Sequence, residues 1–436
     1  MRQITGRFLT GLPHPTAVPP EPRPNSIQTF FKKTLHPPMN TLLILTVGTG
    51  IAGPQSDVSA GLASTIEMVK PRLYWLVPST SPKSMPVADL IRERVGNKFT
   101  FQPYADGQPY NAIPDPDDIH CCRKVFKEVI RKAKASLRPG EKLVVNPTGG
   151  TKQMSAAATI AALDEEVGEV NFTIGRREGG VVSTGTEVVA PFSTRQFFLD
   201  RDRRIAGELF NAGTFLAAER VLKSYGDQSM IECQKALCLH EWQRLNFAKA
   251  ATHAAKFSQT IKDHLTHLQK ADPCGPELLG ELLAGADELV RWGDTEEAMA
   301  RYYRGVEQAA KVRLFSQFGV RPPYTTNGFS GLPAKAQSIV CQLPTSGTQK
   351  EIFLGSQMSW EILKACADPM AEAYLRDTFL MGLVRQRNET IYGHGGEAIA
   401  ASVLQSIEPI LRRLFRAHMP EVLPWWTCEK RPHALV

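Results

Sequence analysis

The sequence lacks the patterns of several common protein classes. No apolar run reaches the roughly 18 residues that a membrane-spanning helix needs, so no membrane span is predicted. The eight cysteines form no C-x-x-C pair, which disfavours a zinc site or a disulfide framework and favours free thiols in a reducing cytoplasm. No cluster of Asp, Glu and His has the spacing of metal ligands. We therefore expect a cytoplasmic protein without a metal site.

Length and charge leave room for several domains and for an anionic partner. The 436 residues are enough for about two or three domains, each with its own core. A net charge of +7 suits a polyanion such as nucleic acid but does not establish one. Residues 1–38 carry eight prolines and five Lys or Arg against one acid, so they are predicted to be a disordered, proline-rich extension.

Residues 39–198 alternate buried strands with helices. Leu42–Val47, Leu73–Val77 and Leu143–Asn146 are nearly continuous apolar runs, which are typical of strands covered on both faces of a parallel sheet. Helical segments separate them, so we predict an α/β, Rossmann-like domain with a doubly wound parallel sheet. Ligands bind such sheets outside the carboxyl ends of the strands. The loops that leave those ends cover residues 48–53, 79–81 and 146–152.

The third of these loops has the composition of an anion receptor. Gly149 and Gly150 have no Cβ, so a ligand can approach their backbone closely. The hydroxyls of Thr148 and Thr151 and the free amides of a helix that starts here add hydrogen-bonding groups. Lys152 supplies a cation. The structural alternative is a capped turn whose lysine is solvated.

The sequence disfavours two common kinds of nucleotide-binding site. Residues 48–53 match G-x-G-x-x-G, but the second strand ends in Val-Pro-Ser at 77–79, without an acid to hold a ribose, so a dinucleotide site is disfavoured. The loop at 148–152 is not a Walker A loop, because G-x-x-x-x-G-K-[ST] is absent, and this disfavours nucleotide hydrolysis. A tight turn at 48–53 remains compatible with another ligand.

After about residue 198 the sequence is helical. Ala-, Leu- and Glu-rich segments predict an all-α C-terminal region. The predicted helices include Pro276–Trp292, Thr295–Phe318, Asp368–Arg387 and Glu397–His418.

Arg387 and His394 form the second candidate site. A helix that continued to His394 would carry both side chains on one face, nearly two turns apart, with Asn388 beside the arginine. The arginine stays protonated and can hold a phosphate, while the imidazole can move a proton at neutral pH. Asn388 can orient either group, so the three suit metal-free opening of an RNA phosphodiester. An exposed arginine and a helix-terminal histidine are the alternative interpretation.

Two motifs resemble those of known families. The stretch Asn-Pro-Thr-Gly-Gly-Thr-Lys-Gln-Met at 146–154, on a Rossmann-like domain, resembles the CARF sensor domains of CRISPR-associated proteins. Arg387 and His394 enclose six residues and resemble the R-x(4–6)-H motif of HEPN ribonucleases. The ordered pair resembles the type III CRISPR ancillary ribonucleases. The domains implied are a CARF-like Rossmann sensor at 39–198, a helical connecting domain at 199–274, a HEPN-like ribonuclease domain at 275–420 and a C-terminal tail at 421–436.

The resemblance also implies partners and a reaction. A cyclic oligoadenylate would bind across a homodimer as an allosteric activator, and both copies of Arg387, Asn388 and His394 would form one composite site. That site would cleave single-stranded RNA in type III CRISPR antiviral defence, by attack of the ribose 2′-hydroxyl and without a metal or another cofactor. The ligand contacts expected in the sensor are Gly48, Thr49, Gly50, Ser79, Thr80, Ser81, Asn146, Thr148, Gly149, Gly150, Thr151, Lys152 and Met154.

Two other functions stay open from the residues alone. A non-catalytic, ligand-controlled regulator that binds RNA or protein would assemble on its ligand without turning over RNA. A dinucleotide-dependent oxidoreductase is less favoured because its fingerprint is incomplete, and titration with NAD(P)H would exclude it.

Overall fold

The computed structural model describes most of the chain, in two compact units. The described residues are 40–49, 55–81, 83–178, 181–182, 185–346, 351–390, 395–396, 398–429, 431 and 434–435. The units are Met1–Arg195 and Gln196–Val436. The predicted extension at 1–38, Gly50 and His394 lie outside the described residues.

The described part of the N-terminal unit has eight strands, six of which form its main sheet. Its strands are β1 (Thr41–Thr46), β2 (Leu73–Val77), β3 (Thr100–Phe101), β4 (Lys142–Asn146), β5 (Glu169–Ile174), β6 (Arg177–Glu178), β7 (Val181–Val182) and β8 (Val188–Ser193). The main sheet has the order β3-β2-β1-β4-β5-β8. Its first five strands are parallel, which confirms the predicted Rossmann-like fold. β8 is antiparallel to β5, because the β6–β7 hairpin occupies the connection in place of a crossover helix.

Helices cover both faces of this sheet. They are α1 (Gln55–Val69), α2 (Ser84–Val95), α3 (Ile119–Ala135) and α4 (Lys152–Asp164). Side chains of the inner strand β1 alternate between the faces: Leu42 and Ile44 pack with α3 and α4, whereas Leu43 and Leu45 pack with α1 and α2. All four leucine and isoleucine side chains are fully buried. Burial on both faces therefore explains why this strand is an unbroken apolar run.

The C-terminal unit is helical, as predicted, apart from one short hairpin. Its helices are α5 (Arg195–Asn211), α6 (Phe215–Leu222), α7 (Met230–Gln243), α8 (Phe247–His253), α9 (Gln259–Lys270), α10 (Pro276–Trp292), α11 (Thr295–Phe318), α12 (Ala334–Val340), α13 (Ser356–Ala365), α14 (Pro369–Arg376), α15 (Thr378–Glu389) and α16 (Ala401–His418). The hairpin pairs β9 (Thr345–Ser346) with β10 (Glu351–Ile352).

Helices α10 and α11 begin and end at the predicted residues. Pro276 lies in the first turn of α10, where its missing N–H costs no hydrogen bond. Gly293 ends α10 in the left-handed region at φ 81°. Asp294 then caps α11 by accepting a hydrogen bond from the backbone N–H of Glu297 at 3.2 Å. Both helices contribute buried side chains to a core that also includes α13, α14 and α16.

The predicted helix Asp368–Arg387 is instead two helices, α14 and α15. Asp377 lies between them and accepts hydrogen bonds from the backbone N–H groups of Phe379 and Leu380, at 3.0 and 3.1 Å. A carboxylate that caps the next helix competes with continuation of the previous one. The helix that carries Arg387 therefore has its own start, at Thr378.

A buried charge pair ties the C-terminal residues to the helical unit. Arg431 donates to Glu281 of α10 at 2.7 Å, and both side chains are almost fully buried. Glu281 also bonds to His264 of α9 and Trp242 of α7, at 2.8 and 2.9 Å. Burial by itself would raise the pKa of Glu281, but the hydrogen bond with His264 and the charge of Arg431 outweigh it and hold the pKa below its usual value.

Replacing Arg431 should destabilise the C-terminal unit strongly. In Arg431→Met, Glu281 stays buried without its cation, which costs about 3–5 kcal/mol in the free energy of unfolding. Arg376→Met is the matched control, because its ion pair with Glu372 is exposed and is worth about 1 kcal/mol or less. Urea unfolding followed by tryptophan fluorescence measures both variants, and equal midpoints would contradict the assignment.

The same pair should also give the unit an acid-sensitive stability. Because the pKa of Glu281 is lowered on folding, the stabilisation is complete above the unfolded pKa of about 4.3 and is lost as the pH falls through the folded value. The difference between the parent and Arg431→Met in unfolding midpoint should therefore shrink below about pH 4. A difference that does not change with pH would show that Glu281 contributes no charge there.

Candidate functional site

The first and third loops at the carboxyl edge of the sheet touch through their backbones. A methyl group built on Gly48 would lie 2.3 Å from the backbone nitrogen of Gly150, and one on Gly149 would lie 2.3 Å from the carbonyl oxygen of Thr46. Gly150 itself has φ 92°, which side chains rarely tolerate. These glycines are therefore required by the close approach of the two loops.

Asn146 and Thr148 hold the third loop from inside the unit. The Asn146 side chain is fully buried and donates to Asn171 and Thr173 of β5, at 2.8 and 3.0 Å. Its oxygen accepts the backbone N–H of Thr148 at 3.1 Å. The Thr148 hydroxyl in turn accepts the backbone N–H of Thr173 at 2.7 Å. Both side chains already have partners, so they shape the loop more than they face a ligand.

Thr151 and Met154 are also held by internal contacts. The Thr151 hydroxyl caps α4 by accepting the backbone N–H of Met154 at 3.1 Å, and it donates to the carbonyl oxygen of Pro116 at 2.6 Å. Met154 is 1% exposed and lies in the core beneath Gly150. The predicted helix start at Thr151 or Lys152 is confirmed, with Thr151 as the cap.

The groups that a ligand can reach are the start of α4 and Lys152. The first N–H groups of a helix have no partner within it, and here Thr151 caps that of Met154. Gly150 and Lys152 are exposed, and Lys152 makes no hydrogen bond or ion pair with the described residues. Exposed amides, a helix N-terminus and an unpaired ammonium together suit an anion.

The second loop is joined to the first through Ser84, which the sequence reasoning did not single out. The Ser84 hydroxyl accepts the backbone N–H of Ser79 at 3.1 Å and donates to the carbonyl oxygen of Val47 at 2.9 Å. Ser79 is buried, whereas Thr80 is exposed and its hydroxyl donates to Pro114. The structure thus brings three predicted loops to one sheet edge. Thr49 and Ser81 are partly buried there.

In the C-terminal unit, Arg387 and His394 could share one face of a helix only if that helix continued to residue 394. The helix that carries Arg387 ends earlier. α15 stops at Glu389, and Thr390 has extended backbone angles of φ −85° and ψ 170°. The Thr390 hydroxyl donates to the carbonyl oxygen of Arg387 at 2.8 Å, which uses an acceptor that a continuing helix would need. The helix therefore ends within two residues of its predicted end at Arg387 and does not meet the condition for the one-face arrangement, while His394 lies outside the described residues.

Arg387 presents a cation without a counter-charge. Its guanidinium lies over the ring of Tyr303 on α11, with the guanidinium carbon 5.1 Å from the ring centroid. One terminal nitrogen donates to the side-chain oxygen of Asn388 at 3.2 Å, while the buried Nε has no hydrogen-bond partner. No carboxylate among the described residues pairs with it. A partly buried arginine in this state can bind a phosphate without first breaking an ion pair.

The described part of the chain contains neither a metal-binding cluster nor a membrane-spanning helix. No group of three or more His, Cys, Asp or Glu side chains there could hold a metal ion. Of the helices described, none is long and apolar enough to cross a membrane.

Adding a methyl group to Gly149 should force the two sensor loops apart. In Gly149→Ala the new carbon would meet the Thr46 carbonyl, so we expect a destabilisation of about 1–3 kcal/mol. Gly168→Ala is the matched control, because Gly168 has open space around it. Thermal unfolding of both variants measures the effect, and equal melting temperatures would refute the close packing.

Comparison with known proteins was made on the sequence and on the fold. Residues 269–417 match the family described as Csm6 HEPN domain. Csm6 from Enterococcus italicus, solved bound to cyclic hexa-2′-fluoro-hexa-dAMP, has a similar structure with a TM-score of 0.60 at 12% identity, over 88% of this chain and 95% of that chain. No curated protein matches the sequence. The HEPN match and the Csm6-like fold together confirm the predicted resemblance to the CARF–HEPN proteins of type III CRISPR systems.

Proposed function

We propose that this protein is an endoribonuclease that cuts single-stranded RNA when its N-terminal domain binds a cyclic oligoadenylate. The observation that carries the proposal is Arg387, a partly buried cation with no carboxylate partner among the described residues, inside the region that matches a HEPN domain. A counter-charge would be expected at a purely structural arginine of this burial.

The reaction needs no metal in this proposal. Arg387 holds the scissile phosphate and stabilises the charge that builds on it, while His394 takes the proton from the attacking ribose 2′-hydroxyl. The 2′-oxygen bonds to phosphorus, the bond to the 5′-oxygen breaks, and that oxygen takes a proton from water, while His394 later releases its proton to solvent. The products are a 2′,3′-cyclic phosphate and a 5′-hydroxyl. Asn388, which accepts a hydrogen bond from Arg387, orients the guanidinium.

The sensor proposal rests on the exposed start of α4. Its free amides, Gly150 and Lys152 offer positive potential to the phosphates of the ring, and Thr80 is exposed on the neighbouring loop. Asn146, Thr148 and Thr151 hold this surface in place through their internal hydrogen bonds. The Csm6 of similar fold was solved with a cyclic hexanucleotide, which supports a cyclic oligoadenylate as the ligand class.

The active species in this proposal is a homodimer in the cytoplasm. Two sensor domains share one cyclic ligand, and two HEPN domains each supply Arg387, Asn388 and His394 to a composite site. A ligand that binds the cleaving arrangement more tightly than the resting one shifts the population toward it. Such a switch would serve antiviral defence by keeping cleavage of cellular RNA low until the signal is made.

Removing the catalytic groups should abolish cleavage and leave the fold intact. We expect Arg387→Ala and His394→Ala each to lower kcat by about 10²–10⁴-fold, in buffer with EDTA and saturating activator. Arg416→Ala, an exposed arginine on α16 of the same unit, is the control and should cleave like the parent. Fluorescent RNA substrates measure the rates. Full cleavage by both variants would place the active site elsewhere.

Removing the cation at the sensor loop should weaken activation only. With Lys152→Ala, the activator concentration for half-maximal cleavage should rise about tenfold or more, because a charge-assisted phosphate contact is lost. Maximal cleavage and RNA binding by the helical unit should stay close to the parent values. Lys124→Ala on α3 is the matched control, an exposed lysine of the same unit. An unchanged activation curve for Lys152→Ala would exclude Lys152 as a contact.

A further inference from the structure

Tyr303 lies directly under the guanidinium of Arg387, although the two residues are far apart in the sequence. The tyrosine is on α11 and the arginine on α15, and the guanidinium carbon is 5.1 Å from the ring centroid. The face of an aromatic ring attracts a cation without neutralising it and without occupying its N–H groups. The ring therefore holds the cation while the N–H groups of Arg387 remain available as hydrogen-bond donors.

The core to which α11 contributes also contains a stacked aromatic pair on α13 and α14. Tyr374 on α14 is buried and stacks on the buried Trp360 of α13, with ring centroids 4.6 Å apart. Burial, with a smaller effect of the Tyr303 phenol, raises the pKa of Tyr374 to about 12. Tyr374 therefore stays protonated at neutral pH.

Helix α11, which carries Tyr303, is itself closely packed. A methyl group built on Gly305 would lie 2.5 Å from the Leu283 side chain of α10. The hydroxyl of Tyr302 donates to Asp287 of α10 at 2.5 Å. Residues on either side of Tyr303 thus hold the helix against α10, so the ring is presented by a rigid element.

From this arrangement we infer that Tyr303 is a positioning residue, which fixes the guanidinium of Arg387 by its aromatic face and leaves the charge available to the scissile phosphate. The inference rests on the proposed function of Arg387. A carboxylate in the same place would hold the arginine more tightly, but it would compete with the phosphate. An aliphatic side chain would fill the space without orienting the cation.

Aromatic and aliphatic replacements separate these possibilities. Tyr303→Phe keeps the ring and should retain kcat within about twofold, whereas Tyr303→Leu should lower kcat about tenfold with little change in KM. Phe315→Leu is the matched control, because Phe315 is on the same helix, about 18 Å further along its axis, and carries Arg321 over its ring at 4.1 Å. It should cleave like the parent.

A series of fluorinated phenylalanines at position 303 provides a test that does not depend on packing. Fluorine withdraws electron density from the ring face while the shape changes little, so the attraction for the cation falls stepwise. We expect kcat to fall with each added fluorine at an unchanged melting temperature. Equal kcat across the series would overturn the inference, even if Tyr303→Leu fails to fold.

Combination with Arg387→Ala separates this inference from the proposed function. If Tyr303 acts through Arg387, then Tyr303→Leu should cause no further loss in an Arg387→Ala background. A full additional loss would overturn the positioning role while leaving Arg387 in the site. Parent-like cleavage by Arg387→Ala alone would overturn both assignments.

Discussion

The close contact of glycine backbones at the carboxyl edge of the N-terminal sheet determines how the sensor loop is presented. Gly48 approaches Gly150, and Gly149 approaches the carbonyl of Thr46, at distances that exclude any side chain. The contact exists because β1 and β4 are neighbours in the sheet and end at the same edge. With the loop held this close, the side chains of Asn146 and Thr148 turn inward, and Gly150 and Lys152 at the start of α4 remain exposed.

The arginines of the C-terminal unit differ in whether they have a carboxylate partner. Arg431 and Arg313 are largely buried, and each pairs with a buried carboxylate, Glu281 and Asp368 respectively. Arg387 lies over the ring of Tyr303 and has no carboxylate partner among the described residues. The feature that sets Arg387 apart from these two arginines is the lack of a carboxylate partner among the described residues, and this makes it the candidate for binding a phosphate.

Patterns that depend on local chemistry could be predicted from the sequence. The strand Leu73–Val77 and the helices α10 and α11 have their predicted ends, because apolar runs, Pro276 and Gly293 act within a few residues. Contacts between distant segments could not be predicted. Nothing in the spacing indicates that Thr148 is bound by β5, or that Tyr303 supports Arg387 from another helix. The break between α14 and α15 was not predicted, because the Asp377 carboxylate caps the second helix through the backbone N–H groups of Phe379 and Leu380, and the helical composition on both sides does not reveal this.

Coupling between the two units is the central claim, and a titration of RNA cleavage with cyclic oligoadenylates in EDTA tests it most directly. We expect the parent protein to cleave single-stranded RNA slowly alone and much faster with a cyclic oligoadenylate of one ring size, and linear oligoadenylates to activate less. RNA cleavage that is fast without any ligand and unchanged by every ring size would contradict the coupling. The absence of cleavage under all conditions, with ligand-dependent assembly, would contradict the enzyme and favour a binding regulator.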